Sequence, residues 1–133
     1  TSGIFLRADV ARLVRFDNLK RHQDYQFCLA LEEYGCSFYM MEQPLYQFVQ
    51  IPKKNDPFYA IEWLSNYRKY MSPEAESAFK SLVVMRAMVA SEMYGVLLGY
   101  AWEQKMLLDG IKVFLAGLMK RWLPDLVHIL KRR

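Results

Sequence analysis

A polar segment bounded by two prolines, 52–57, divides this 133-residue sequence into two parts of different character. The residues before it mix strand and helix signals, whereas those after it carry helical signals throughout. Asp56 is a natural helix N-cap, and Pro57 suits the first helical position because its missing N–H is not needed there. The segment therefore divides the chain into residues 1–52 and 53–133, of which the second part is predicted to be helical, within a chain long enough for one domain at most.

The first part predicts short strands together with two helices. Apolar runs indicate strands at 4–6, 37–41 and 45–51, with a turn at 42–44. Helices are predicted over 8–14 and 22–34, and Gly35 ends the second as a C-terminal cap. The whole sequence thus predicts an α+β fold that is mostly helical.

The second part predicts four or five helices. One runs from Pro57 to about residue 71, and Ser72 with Pro73 gives a second start signal. A break is predicted near 93–95, because glycine costs about 1 kcal/mol relative to alanine inside a helix. Further helices are predicted from residue 109 to about 122 and from Pro124 onward.

Composition narrows the class of protein. Hydrophobic residues make up 53% of the chain, which excludes a disordered tail. Two cysteines do not make a disulfide framework, so a reducing, cytoplasmic compartment is expected.

The apolar stretch 82–102 contains Arg86 and Glu92, which cost about 2.5–3.5 kcal/mol each at a bilayer centre. It is therefore predicted to be a core helix and not a membrane span.

The net charge of +4 fits an anionic partner without selecting one. Phosphate-bearing ligands, membrane surfaces and nucleic acid all remain compatible with that charge alone. The basic residues are scattered, and no helix-turn-helix or zinc-finger spacing occurs, so nucleic acid is not expected as a partner.

The strongest functional signal lies in residues 15–27. Asp24 stands near the predicted start of an apolar-periodic helix and follows Lys20, Arg21 and His22. Backbone N–H groups at a helix start keep a carboxylate ionised and oriented. Inverting glycosyl transfer needs such a base to take a proton from the acceptor hydroxyl. The plainer interpretation is a carboxylate that only stabilises the helix start, by about 0.5–2 kcal/mol.

This segment resembles the acceptor side of bacterial family 2 glycosyltransferases, which are nucleotide-sugar enzymes with a GT-A fold. Their segment has an acidic residue or Gln, then the base Asp, an aromatic, a polar residue and Phe, followed by a Pro-Leu-aromatic strand. The matching residues here are Gln23, Asp24, Tyr25, Gln26 and Phe27, then Pro44-Leu45-Tyr46, and residues 1–7 match the strand that comes before them. The resemblance covers residues 1 to about 50. Gln26 and Ala30 depart from it, since Asp and a basic residue are more usual there.

The resemblance implies roles for four residues. Asp24 would be the catalytic base, and Gln23, His22 and Arg21 would bind substrate. Residues 1–52 would be the C-terminal segment of a GT-A-like α/β catalytic domain without its nucleotide-binding half, and 53–133 a helical extension.

The resemblance also implies partners and a cofactor. The full-length enzyme would be an inverting glycosyltransferase of bacterial surface polysaccharide or glycolipid synthesis. It would use a nucleotide-sugar donor, a saccharide or lipid-linked acceptor, and Mg or Mn. Neither Asp-x-Asp nor Glu-x-Asp occurs in this chain, so no metal ligands are assigned to it and the chain alone is expected to be inactive.

A non-catalytic alternative remains open. The helical part could be a partner-binding or membrane-docking module, with the first part as its platform. The basic, aromatic and amphipathic stretch 120–133 could lie on an anionic membrane surface, as a peripheral contact on the inner face of the cell membrane. A capped terminal helix with solvated charges is the plainer interpretation.

Overall fold

The computed structural model describes residues 3–43 and 56–130, with side chains up to Arg121. Every regular element in these ranges is helical. In chain order the elements are α1 (Ala8–Leu13), α2 (Gln23–Glu33), α3 (Pro57–Tyr67), a 3-10 helix (Arg68–Tyr70), α4 (Pro73–Phe79), a π-helix (Lys80–Met85), α5 (Arg86–Ala90), α6 (Tyr94–Glu103) and α7 (Leu107–Leu130). The described residues form two compact units, 3–43 with 67–71 and 56–66 with 72–130.

The predicted α+β fold, with short strands of a GT-A-like α/β domain, is wrong. Residues 4–6 and 37–41 are irregular, and the third predicted strand, 45–51, lies outside the described residues. A strand needs backbone hydrogen bonds to a neighbouring strand. Neither segment makes such a bond to any part of the chain that the structure describes. Apolar composition alone therefore does not make these segments strands.

The first unit is built around α1 and α2. Val14, Phe27 and Leu31 form its buried centre. Partly buried apolar side chains pack against that centre, namely Ile4, Val10, Ala30 and Cys36. The ring of Phe16 stacks on that of Phe27 with centroids 4.0 Å apart. This packing fixes the face of α2 that points inward.

The predicted end of α2 is confirmed in detail. Gly35 has φ 90°, a left-handed conformation that suits glycine. Its N–H donates to the carbonyl of Glu32 at 2.9 Å, and the N–H of Cys36 donates to the carbonyl of Leu31 at 2.9 Å. These two bonds are the Schellman pattern, which satisfies the last helical carbonyls.

The two predicted helix starts of the second part are also confirmed. The Asp56 carboxylate accepts hydrogen bonds from the N–H groups of Phe58 and Tyr59, at 3.0 and 3.2 Å. The Ser72 hydroxyl accepts one from the N–H of Ala75 at 3.2 Å. Both side chains satisfy donors that a helix start otherwise leaves unpaired.

The second unit packs α3 and the α4–α7 region around a methionine-rich core. Met85, Met88, Val84 and Leu97 are fully buried, and the rings of Trp63 and Phe79 stack with centroids 4.9 Å apart. The run from α4 through the π-helix to α5 is continuous and ends at a turn over 91–93, close to the break that was predicted near 93–95.

The later helices differ from the prediction. α6 ends at Glu103, and α7 continues through Pro124 to Leu130 as one element, without the separate short helix that was predicted from Pro124. Glu92 and Lys105 have positive φ angles of 59° and 58°, so the turns before α6 and α7 use the left-handed conformation without glycine.

Candidate active site

The start of α2 carries the candidate site. His22 is the N-cap residue and has φ 64° and ψ 22°, which is left-handed. Its carbonyl accepts the N–H of Gln26 at 3.0 Å, so the helix begins directly after it. Asp24 lies in the first turn and is exposed to solvent. The helix dipole at this position favours the charged carboxylate.

The left-handed backbone at His22 is uncommon for a residue with a side chain. Such a conformation costs about 1–3 kcal/mol and persists only where the surrounding contacts hold it. Strained residues of this kind concentrate at functional sites. Here the left-handed conformation of His22 leads the chain into α2, two residues before the predicted base Asp24.

The electrostatic surroundings of Asp24 act on three neighbouring groups. Burial lowers the pKa of His22, and the charge of Arg21 adds to this effect while Asp24 opposes it. His22 is therefore mainly neutral at neutral pH. Burial raises the pKa of Tyr25 and of the Cys28 thiol, and the negative charge of Asp24 raises both further. The charge of Asp24 thus acts on the pKa of an imidazole, a phenol and a thiol.

Two glutamine side chains tie the loop before α2 to the first turns of the helix. The Gln23 amide donates to the carbonyl of Leu19. The Gln26 side chain, only 5% exposed, accepts the N–H of Asp17 at 3.0 Å through its carbonyl oxygen. A buried amide oxygen left unpaired would be costly, so this bond both satisfies Gln26 and anchors the loop.

A third anchor of the loop comes from a distant part of the chain. The Tyr67 hydroxyl donates to the Asp17 carboxylate at 2.6 Å, a short charge-assisted bond across a separation of 50 residues. The loop over 17–22 is therefore held at Asp17 by Gln26 and Tyr67, and at Leu19 by Gln23.

The structure brings the four predicted site residues together at one turn but does not give them equal access. Asp24 is exposed, whereas Arg21, His22 and Gln23 are half-buried. The Gln23 amide is engaged with Leu19 inside the unit. The catalytic and binding roles themselves remain predictions.

Sequence reasoning missed Gln26, Asp17 and Tyr67 as the residues that position this turn. Gln26 did give a signal, because it departs from the pattern of the resembling family. Tyr67 gave none, since nothing in the sequence connects it with Asp17.

The described residues do not offer a metal site. Within 3–43 and 56–130, no three His, Cys, Asp or Glu side chains converge to hold an ion. The residues present therefore do not fit the divalent metal that the resemblance implies, and no catalytic step is assigned to a metal held by them. Likewise, none of the helices in these ranges is long and apolar enough to cross a membrane.

Comparison with known proteins supports a relationship with glycosyltransferases. The chain is similar to the amylovoran biosynthesis glycosyltransferase AmsB of Erwinia amylovora, with 28% identity over 88 residues. That match covers 61% of this chain and 29% of AmsB, so the chain spans less than a third of that relative. No protein-family model matches the chain, and no solved structure matches it.

Proposed function

We propose that this chain contributes the acceptor side of an inverting, nucleotide-sugar-dependent glycosyltransferase, with Asp24 as the general base. The observation that carries the proposal is the exposed Asp24 carboxylate in the first turn of α2, immediately after the left-handed His22. The similarity to AmsB supports glycosyl transfer as the reaction class.

In the proposed reaction, the Asp24 carboxylate takes the proton of the acceptor hydroxyl. The hydroxyl oxygen then forms a bond to the anomeric carbon of the donor sugar. The bond between that carbon and the diphosphate oxygen breaks, and its electron pair leaves with the nucleoside diphosphate. Attack from the face opposite the leaving group inverts the anomeric configuration. General-base assistance of this kind contributes about 10²–10⁴-fold to a rate.

The neighbours of Asp24 take different parts in this proposal. Arg21 supplies positive charge for an anionic substrate group. The lowered pKa of His22 makes it a neutral hydrogen-bonding group and not a second cation. Gln23 acts as a positioning residue, because its amide already holds the carbonyl of Leu19. Donor binding and any metal ligands are assigned to residues outside the described ranges.

We place the full-length protein in bacterial surface polysaccharide or glycolipid synthesis. AmsB, by its name, acts in the synthesis of amylovoran. The proposed acceptor is accordingly a saccharide or a lipid-linked sugar.

The decisive experiment compares two Asp→Asn variants in the full-length protein that contains this chain. Transfer from radiolabelled nucleotide sugars to a membrane extract is measured for Asp24→Asn and for Asp9→Asn. Asp9 is a matched control because it is also an exposed carboxylate in the first turn of a helix, α1. We expect Asp24→Asn to lower kcat by about 10²–10⁴-fold and Asp9→Asn to leave it near the wild-type value.

Helix content, measured by circular dichroism, must be the same in both variants. An Asp24→Asn variant that is folded and transfers sugar at the wild-type rate would remove Asp24 as the base. The proposed glycosyl transfer would then need another group as its general base.

A further inference from the structure

A basic groove runs between α5 and α7 in the second unit. Four of its lining side chains are cationic: Arg86, Lys112, Lys120 and Arg121. Glu92 is the one carboxylate among the residues that line it. The groove encloses about 750 Å³, which is within the range of small-molecule sites, about 300–1,000 Å³.

The floor of the groove is apolar and is formed where two helices approach closely. Gly117 faces Val89, and even a single added carbon at Gly117 would overlap the Val89 side chain. The other apolar residues that line the groove are Ala90, Val113 and Ala116. A cleft with an apolar floor and a cationic rim suits a ligand that has both an apolar and an anionic portion.

The positive charge of the rim is only partly neutralised. Arg121 donates to Glu92 at 2.7 Å. Lys112 lies 3.5 Å from Asp109, and both side chains are well exposed. Among the side chains that the structure describes, Arg86 and Lys120 make no ion pair with a carboxylate. Two cations thus remain available at the rim of one groove.

We infer that this groove binds a phosphate or diphosphate group attached to an apolar portion. Arg86 and Lys120 would donate charge-assisted hydrogen bonds to the phosphate oxygens, and the apolar portion would rest on the floor near Val89 and Gly117. Arginine and lysine suit this ligand because phosphate offers several acceptor oxygens to their donors. The inference does not depend on the role of Asp24.

Two sources could supply such a ligand, a soluble phosphate ester or the head group of an anionic lipid. Phenyl phosphate represents the first, and phosphatidylglycerol vesicles represent the second. Inorganic phosphate serves as the comparison that lacks an apolar portion. Binding of the soluble probes to the 133-residue chain is followed by NMR chemical shifts, and vesicle binding by co-sedimentation.

The test variant is Arg86→Gln with Lys120→Gln. Its matched control is Arg68→Gln with Lys105→Gln, which removes the same charge at two exposed positions that do not line the groove. We expect phenyl phosphate to bind more tightly than inorganic phosphate. We also expect the groove variant to lose at least about tenfold in affinity while the control keeps the wild-type value.

A charge-keeping variant, Arg86→Lys with Lys120→Arg, guards against a loss caused by misfolding and should keep most of the binding. If the groove variant loses vesicle binding while the control keeps it, the ligand is a lipid head group. If that pattern is seen with phenyl phosphate alone, the ligand is a soluble phosphate ester. Equal losses in groove and control variants, full binding by the groove variant, or no binding of either probe would overturn the inference.

Discussion

Replacement of Gly110 by alanine tests the packing of α7 against α6. Gly110 is buried, and a Cβ added there would lie 2.5 Å from the Cβ of Ala101. Carbon atoms prefer separations of about 3.5–4.0 Å, so the two helices would have to move apart by about 1.0–1.5 Å. Overpacking of this kind costs about 1–3 kcal/mol. The better helix propensity of alanine returns about 1 kcal/mol.

Gly110→Ala is therefore expected to destabilise the chain by up to about 2 kcal/mol. Gly99→Ala is the matched control, because Gly99 also lies inside a helix but an added Cβ there meets nothing within 4 Å. That control should gain about 1 kcal/mol from helix propensity alone. Thermal unfolding followed by circular dichroism should thus give shifts of opposite sign for the same chemical change.

A double substitution separates the steric cause from other effects. Ala101→Gly together with Gly110→Ala moves the Cβ from one helix to the other and removes the overlap. The double variant should then be more stable than the sum of the two single changes predicts. Additive free energies of unfolding, or a stabilising Gly110→Ala, would refute the close approach of α6 and α7.

Two further predictions concern backbone and charge. Lys105 has φ 58°, a left-handed conformation that costs a residue with a side chain about 1 kcal/mol and that glycine adopts without this cost. Lys105→Gly should therefore raise the free energy of unfolding by about 0.5–1 kcal/mol, whereas Lys105→Ala should not. NMR titration should give His22 a pKa below 6.5. Asp24→Asn should lower this pKa further, because the charge of Asp24 opposes the effect of burial. A higher pKa of His22 in Asp24→Asn would contradict this. Since the folded pKa is lowered, the stability linked to His22 is full above about pH 6.5 and is lost as pH falls through 6.5 towards the folded pKa. The pH dependence of unfolding in His22→Gln, compared with wild type, checks that sign.

The helix boundaries that were predicted correctly depend on local chemistry. Asp56, Ser72 and Gly35 act on backbone groups within a few residues of themselves, so the sequence alone contains the whole interaction. The ends at Glu92 and Lys105 use the same backbone pattern without a residue that favours it. Neither residue therefore gave a cap signal in the sequence, and the break near 93–95 was predicted only from the cost of glycine inside a helix.

The strands that were predicted wrongly show the opposite case. An apolar run such as 37–41 has the composition of a strand, but a strand forms only with a hydrogen-bonded neighbour. No neighbour is present in the described part of the chain. For the same reason, the contact between Tyr67 and Asp17 could not be predicted, because it joins residues 50 positions apart.

The candidate site depends on both kinds of interaction. Local sequence places Asp24 in the first turn of α2, and that much was predictable. The orientation of the turn depends on Gln26 and Tyr67, which hold Asp17 from the helix and from a distant segment. Gln26 departs from the pattern of the resembling family, yet here it is a buried acceptor that fixes the loop. An aspartate, shorter by one methylene, would draw its oxygen back from the N–H of Asp17. The departure at Gln26 is thus explained by how this chain holds its loop, while Asp24, two residues earlier in the same helix, stays exposed to solvent.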